Sequence, residues 1–132
     1  VPDITGPLEV FARTGPWLPA ERGVDPPAYW VSVLASSSGP VRTSGGIELI
    51  AHGSFEEALR SDTLLISGGI GYEEAAQDER LLAVLRDAAG RGIRLGSICT
   101  GSLILAEAGL LEGRRATTHW AYAEEPRRRA PG

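Results

Sequence analysis

The chain has 132 residues, 42 % of them hydrophobic, with seventeen glycines and a formal net charge of -4, which fits one globular domain long enough to bury a core. All thirteen basic residues are arginine, so a phosphate loop that needs a lysine is excluded, and the acidic balance gives no general attraction for nucleic acid. One cysteine excludes an intrachain disulfide and makes the cytoplasm the expected compartment, while the uncharged stretch Leu95–Ala106 is well short of the about 20 apolar residues of a membrane helix.

In chain order, Thr5 can cap a first helix with Pro7 and Glu9 in its first turn, Leu8, Phe11 and Ala12 on its buried stripe, and an end near Gly15–Pro16. Prolines 16, 19, 26 and 27 predict a loop from Gly15 to Pro27. Ala28–Ala35, rich in aromatic and β-branched residues, predicts a strand, continued by a hairpin of Val41–Thr43 and Ile47–Ile50 around Ser44–Gly46. Ser54 and Glu57 have the spacing of a capping box and open a short helix to Arg60. Thr63–Ser67 is an apolar run bounded by Asp62 and Gly68, the pattern of a strand buried on both faces of a parallel sheet.

Asp78 is placed to cap a helix with Leu81, Leu82, Leu85, Ala88 and Ala89 at helical spacing, stopped by Gly90 and Gly92. Arg94–Ile98 is the next strand, Thr100–Ala108 a helix closed by Gly109, and Thr117–His119 an extended piece before a last weak helix. This alternation predicts an α/β sandwich on a mostly parallel sheet, whose ligands sit at the carboxyl ends of the strands. No internal repeat, low-complexity segment or second domain interrupts it.

Cys99 falls where the strand Arg94–Ile98 turns into the helix from Thr100. Small residues two before and two after it, Ser97 and Gly101, are what a sharp nucleophile elbow needs, because a larger side chain there blocks the backbone. Amides of the following helix favour thiolate over thiol at such a turn; the competing assignment is a small buried apolar residue. The Gly68–Gly71 loop after the apolar strand misses the dinucleotide fingerprint, since Glu74 stands where the last glycine belongs. Its better use is to bring backbone amides beside the cysteine as an oxyanion hole; the alternative is an ordinary tight turn.

Four motifs in order, Asp3-Ile-Thr-Gly-Pro7 with Val10-Phe11, Ser67-Gly-Gly-Ile-Gly71, Ser97-Ile-Cys-Thr-Gly-Ser102 and Ala116-Thr-Thr-His-Trp120, resemble the ThiJ/PfpI superfamily, the class I glutamine amidotransferase-like proteins. The resemblance implies a flavodoxin-like three-layer sandwich with a mostly parallel sheet. Within the superfamily these versions are similar to the amino-terminal domains of AraC/GlxA-type regulators and to isocyanide hydratases. The resemblance makes Cys99 the nucleophile and Asp3 its acidic partner. It puts Thr100 at the substrate position and Gly69, Ile70 and Gly71 at the pocket, with no cofactor and no metal. A carboxyl beside a thiolate in an apolar pocket is pushed toward its protonated form and can deliver a proton to the substrate; from the residues alone Asp3 reads as a helix cap or an exposed terminal residue. His119 is a possible accessory to the thiol, though more often such a histidine is structural, and His52 is expected on the surface. The histidine that follows the nucleophile in the protease-like branch is Thr100 here, so peptidase activity is not expected.

Residues 1–132 read as one incomplete domain of this type, lacking the first strand and the closing carboxyl-terminal elements, and expressed alone are expected to aggregate or melt broadly. Two roles follow from the resemblance. One is a sensor domain of an AraC/GlxA-type regulator, binding a small molecule and reaching DNA only through a domain outside this segment. The other is a cysteine-dependent hydratase or hydrolase, of the lyase class, that turns an isocyanide into an N-substituted formamide; glyoxalase or deglycase chemistry on α-oxoaldehydes uses the same thiol. The family's habit implies a homodimer, and no membrane partner is expected.

Overall fold

The computed structural model describes residues 2–14 and 29–124 in full and the backbone of 15–22. Its elements run α1 (Pro2–Arg22), β1 (Leu34–Ala35), β2 (Gly39–Arg42), β3 (Glu48–Ala51), β4 (Gly53–Ser54), a 3-10 helix (Phe55–Arg60), β5 (Thr63–Ile66), α2 (Tyr72–Ala75), α3 (Glu79–Gly90), β6 (Arg94–Ser97), α4 (Gly101–Glu107) and a second 3-10 helix (Trp120–Tyr122). The architecture is α/β. β1 pairs with β4 and β5 with β6, both in parallel, and β2 with β3 in an antiparallel hairpin.

Several elements of the amino-terminal half differ from their sequence expectation. α1 starts before Thr5 and runs through Gly15, Pro16 and Pro19 to Arg22, because a proline ring fixes φ near the helical value and withholds one amide, at about 3 kcal/mol, without forbidding the helix. The rest of the expected loop, to residue 28, lies outside the described residues. The strand expected over 28–35 shrinks to Leu34–Ala35, matched to Gly53 and Ser54. Ahead of it, Val33 exchanges hydrogen bonds with His52, its amide donating to Nδ1 at 2.9 Å and its carbonyl accepting the His52 amide at 2.7 Å. The exposed Trp30 and Val31 precede that contact. The hairpin forms as expected, Val41 opposite Leu49, closed at Gly46 with φ 85°. Ser54 precedes a 3-10 rather than an α-helix and makes no side-chain cap bond; Glu57 does turn back, and its carboxylate fills the space that a β-carbon on Gly53 would need.

The carboxyl-terminal half follows its pattern closely. Thr63 to Ile66 lie opposite Arg94 to Ser97 in register. Asp78 caps α3 by accepting from the amides of Arg80 and Leu81; Leu82, Leu85 and Ala88 are buried as the spacing predicts, Val84 is buried in addition, and Leu81 and Ala89 are only half-buried. α4 closes at Gly109 with φ 78°, and Arg86 of α3 donates to the Ala108 carbonyl at 3.1 Å, satisfying a helix-end acceptor. Leu82, Leu85 and Leu103, each 2 % exposed or less, form the centre of a core that also takes in Ile66, Tyr72 and Ile104. Leu65 corrects the expectation of a strand covered on both faces, since it is 38 % exposed. α2 has no counterpart in the sequence reading: its four residues are too few to show a helical period.

Candidate functional site

Cys99 joins β6 to α4 and has φ 56°, the one positive value at a non-glycine residue among those described. A residue with a β-carbon pays about 1–2 kcal/mol for this left-handed conformation, and it persists only where the surroundings over-determine the backbone. Here they do. The Ile98 amide donates to the Ile66 carbonyl at 3.0 Å, fixing the end of β6 to β5, and the Gly101 amide donates to the Ile98 carbonyl at 3.0 Å. A β-carbon on Gly101 would overlap the Ile66 carbonyl, so the approach of α4 to the strand requires glycine at that position. The strand-to-helix elbow read from Ser97 and Gly101 is therefore present as a backbone feature.

The glycine loop is locked to the elbow through Thr100. This side chain is 3 % exposed; its hydroxyl accepts the Gly69 amide at 3.0 Å and lies 3.4 Å from the Gly69 carbonyl, to which it donates. A β-carbon on Gly68 would stand 2.6 Å from the Thr100 amide, which explains the first glycine of the loop. The second, Gly69, has φ 129°. The expected pocket role of the loop thus divides: the Gly69 amide is committed to Thr100, while Ile70 and Gly71 are exposed. Thr100 holds the loop.

Of the other residues singled out, Asp3 sits half-buried at the start of α1, and no hydrogen bond or ion pair joins it to Cys99 among the described residues. His119 accepts the Ala121 amide at 3.3 Å and lies at a tilt against the rings of Trp120 and Tyr122, with centroids 5.4 and 6.1 Å away. Its described contacts are those of a cap for the last 3-10 helix. His52, exposed as expected, ties β3 to Val33. Among the described residues no group of three or more histidine, cysteine and carboxylate side chains could hold a metal ion, and no helix is long and apolar enough to cross a membrane.

Two residues that sequence reasoning did not single out act on the elbow directly. Thr118 donates its hydroxyl to the Cys99 carbonyl at 2.9 Å, and Ser102 does so at 3.3 Å. Ser102 is close enough in the chain to be found from a helix-start pattern, whereas Thr118, nineteen positions away, carries no local signal beyond the Thr-Thr-His run. The ring of Tyr122 meets that of Tyr72, immediately after the glycine loop, edge to face at 5.5 Å.

The model of the DJ-1/PfpI family matches residues 3–129. The isonitrile hydratase of Pseudomonas putida is 37 % identical over 120 residues, 91 % of this chain and 47 % of that protein. The HTH-type transcriptional regulator CdhR of Pseudomonas aeruginosa is 42 % identical over 92 residues, 70 % of this chain and 27 % of that protein. This chain thus spans less than half the length of either relative. A ThiJ/PfpI domain protein from Brachyspira murdochii superposes with a TM-score of 0.70 at 22 % identity, over 80 % of this chain and 62 % of that one, a likeness of fold. A family model spanning nearly the whole chain, relatives above 30 % identity and a flavodoxin-like α/β neighbour agree: the chain belongs to the DJ-1/PfpI family.

Proposed function

We propose that this chain is the ligand-sensing domain of an AraC/GlxA-type transcriptional regulator, in which the Cys99 elbow binds or reacts with a small molecule. The observation that carries this reading is the Tyr72–Tyr122 contact. It joins the segment that follows the elbow helix to the helix that follows the glycine loop, which supports a path from a ligand at the loop to the outgoing chain. The likeness to CdhR over 70 % of the chain supports the same reading. DNA is then bound by a domain outside residues 1–132, and the family's pairing habit makes a homodimer the expected form.

The likeness to the Pseudomonas isonitrile hydratase favours a second reading. The Cys99 thiolate adds to the terminal carbon of an isocyanide while Asp3 supplies a proton, giving a thioimidate. Water adds across the carbon–nitrogen double bond, the thiolate leaves as the hydroxyl proton returns to Asp3, and isocyanide plus water yields an N-substituted formamide and the free enzyme. This scheme needs the Asp3 carboxyl within hydrogen-bond reach of the sulfur.

One experiment separates the two. Full-length protein is titrated with DNA from upstream of its own gene, before and after alkylation of Cys99 with iodoacetamide, and in parallel is incubated with cyclohexyl isocyanide. Salt-dependent DNA binding that changes on alkylation, with no formamide formed, supports the sensor. Formamide formation abolished in Cys99→Ala, with no DNA binding, overturns it in favour of the hydratase.

A further inference from the structure

We propose that Thr118 is a positioning residue for Cys99, a hydroxyl clamp that holds the elbow backbone in its left-handed conformation and thereby sets the reactivity of the sulfur. The inference rests on the reading of Cys99 as the functional centre and adds a residue that the elbow pattern does not contain.

The argument starts from the carbonyl. In a left-handed residue the peptide group that follows the α-carbon is turned away from its usual course, so its oxygen must find donors in an unusual direction. At Cys99 that oxygen receives the Thr118 hydroxyl at 2.9 Å, the Ser102 hydroxyl at 3.3 Å and the Ser102 amide at 3.5 Å. The Thr118 bond is the shortest of the three. It also differs in origin, since Ser102 belongs to the helix that the elbow starts, whereas Thr118 arrives from a separate segment nineteen residues on.

A donor that arrives from a separate segment does what Ser102, carried on the elbow's own helix, cannot. It pins the rotation about the Cys99 α-carbon to carbonyl bond, which fixes where the α-carbon to β-carbon bond points and hence the cone in which the sulfur moves. Thr118 is half-buried, and the chain around it adds no strand ladder: between α4 and the last 3-10 helix no residue pairs with a neighbour as a strand. Among the described residues, the Thr118 hydroxyl is the hydrogen bond that joins that segment to Cys99. Threonine suits the task because its branched β-carbon restricts χ1, so the hydroxyl is held in one direction.

The test compares full-length wild type, Thr118→Val and Thr118→Ser by two readouts. The first is the rate of Cys99 alkylation by iodoacetamide, followed by intact mass between pH 6 and 10. The second is backbone hydrogen exchange over residues 98–102, which reports the clamp whether or not the thiol is reactive. Valine keeps the shape and removes the donor; serine keeps the donor. Valine is expected to slow alkylation about fivefold to tenfold below pH 8 and to speed exchange about tenfold, with serine within about twofold of wild type in both and melting temperatures alike. Should valine not fold, Thr118→Ala takes its place. Exchange and alkylation in the donor-less variant that coincide with wild type overturn the clamp. A wild-type thiol no faster than a free cysteine, with exchange still accelerated in valine and rescued by serine, leaves the clamp standing and instead removes Cys99 from its functional role.

Discussion

The amino-terminal and carboxyl-terminal halves of the described chain are held by different means. Between residues 61 and 111 a continuous apolar core joins β5, α2, α3 and α4, with Leu103 at 0 % exposure and Leu85 at 1 %. Among the described residues of the first 60 the buried apolar side chains are two alanines, Ala51 and Ala58, while Val10, Trp30, Ile47 and Ile50 are each more than half exposed. The left-handed cysteine sits in the first of these regions. Strain of that kind survives where neighbours on several sides fix the backbone, and the packed half supplies them.

The contrast can be broken most directly at its centre. Leu103→Ala is expected to cost about 2–5 kcal/mol in chemical denaturation, whereas Val10→Ala, at a site 66 % exposed, is expected within about 0.5 kcal/mol of wild type. Equal losses would show that the two halves are packed alike. Gly101→Ala probes the elbow itself, because its β-carbon must displace the Ile66 carbonyl; a loss of about 1–3 kcal/mol, as for overpacking, and slower alkylation of Cys99 are expected, and an unperturbed variant would mean that α4 can slide. The strain predicts a gain as well. Cys99→Gly, which adopts φ 56° without a β-carbon penalty, is expected to stabilise the fold by about 1 kcal/mol relative to Cys99→Ala, measured by urea midpoint.

How much of this was legible in the sequence depends on how far each determinant acts. Asp78, Gly109 and the Ser97–Gly101 elbow act within a few residues, so their pattern names them. The Leu82–Leu85–Ala88 stripe is equally local, being one face of one helix. The extent of α1 was not legible, since prolines read as stops even where the backbone continues, and Ser54 with Glu57 has the spacing of a capping box without forming its bonds. The resemblance assigns Thr100 to the substrate position; only the fold shows its hydroxyl turned to Gly69. Thr118 was missed as an individual because its partner is nineteen positions away.

The smallest expected effect concerns a surface tie. Arg80 of α3 grips Glu56 with two bonds of 2.6 Å and also donates to the Ser36 carbonyl at 2.7 Å, linking the loosely packed half to the core. The Arg80 hydrogen bonds are the main cause that lowers the Glu56 carboxyl from 4.5 to about 2. A carboxyl depressed in the folded state stabilises the fold fully above its unfolded value, and that contribution disappears as the pH falls through about 2. Glu56→Gln should therefore lower the melting temperature slightly above pH 4.5 and match wild type near pH 2; melting curves that differ equally at both ends would detach this pair from the acid response.

The most direct test of the central claim, that the fold makes Cys99 a reactive centre, is the rate of iodoacetamide alkylation at pH 7 in the native full-length protein against the same protein unfolded in urea. The account predicts a faster native reaction even though the residue is half-buried in the fold. A native rate equal to or below the unfolded rate would contradict it and make Cys99 a packing residue at a strained turn.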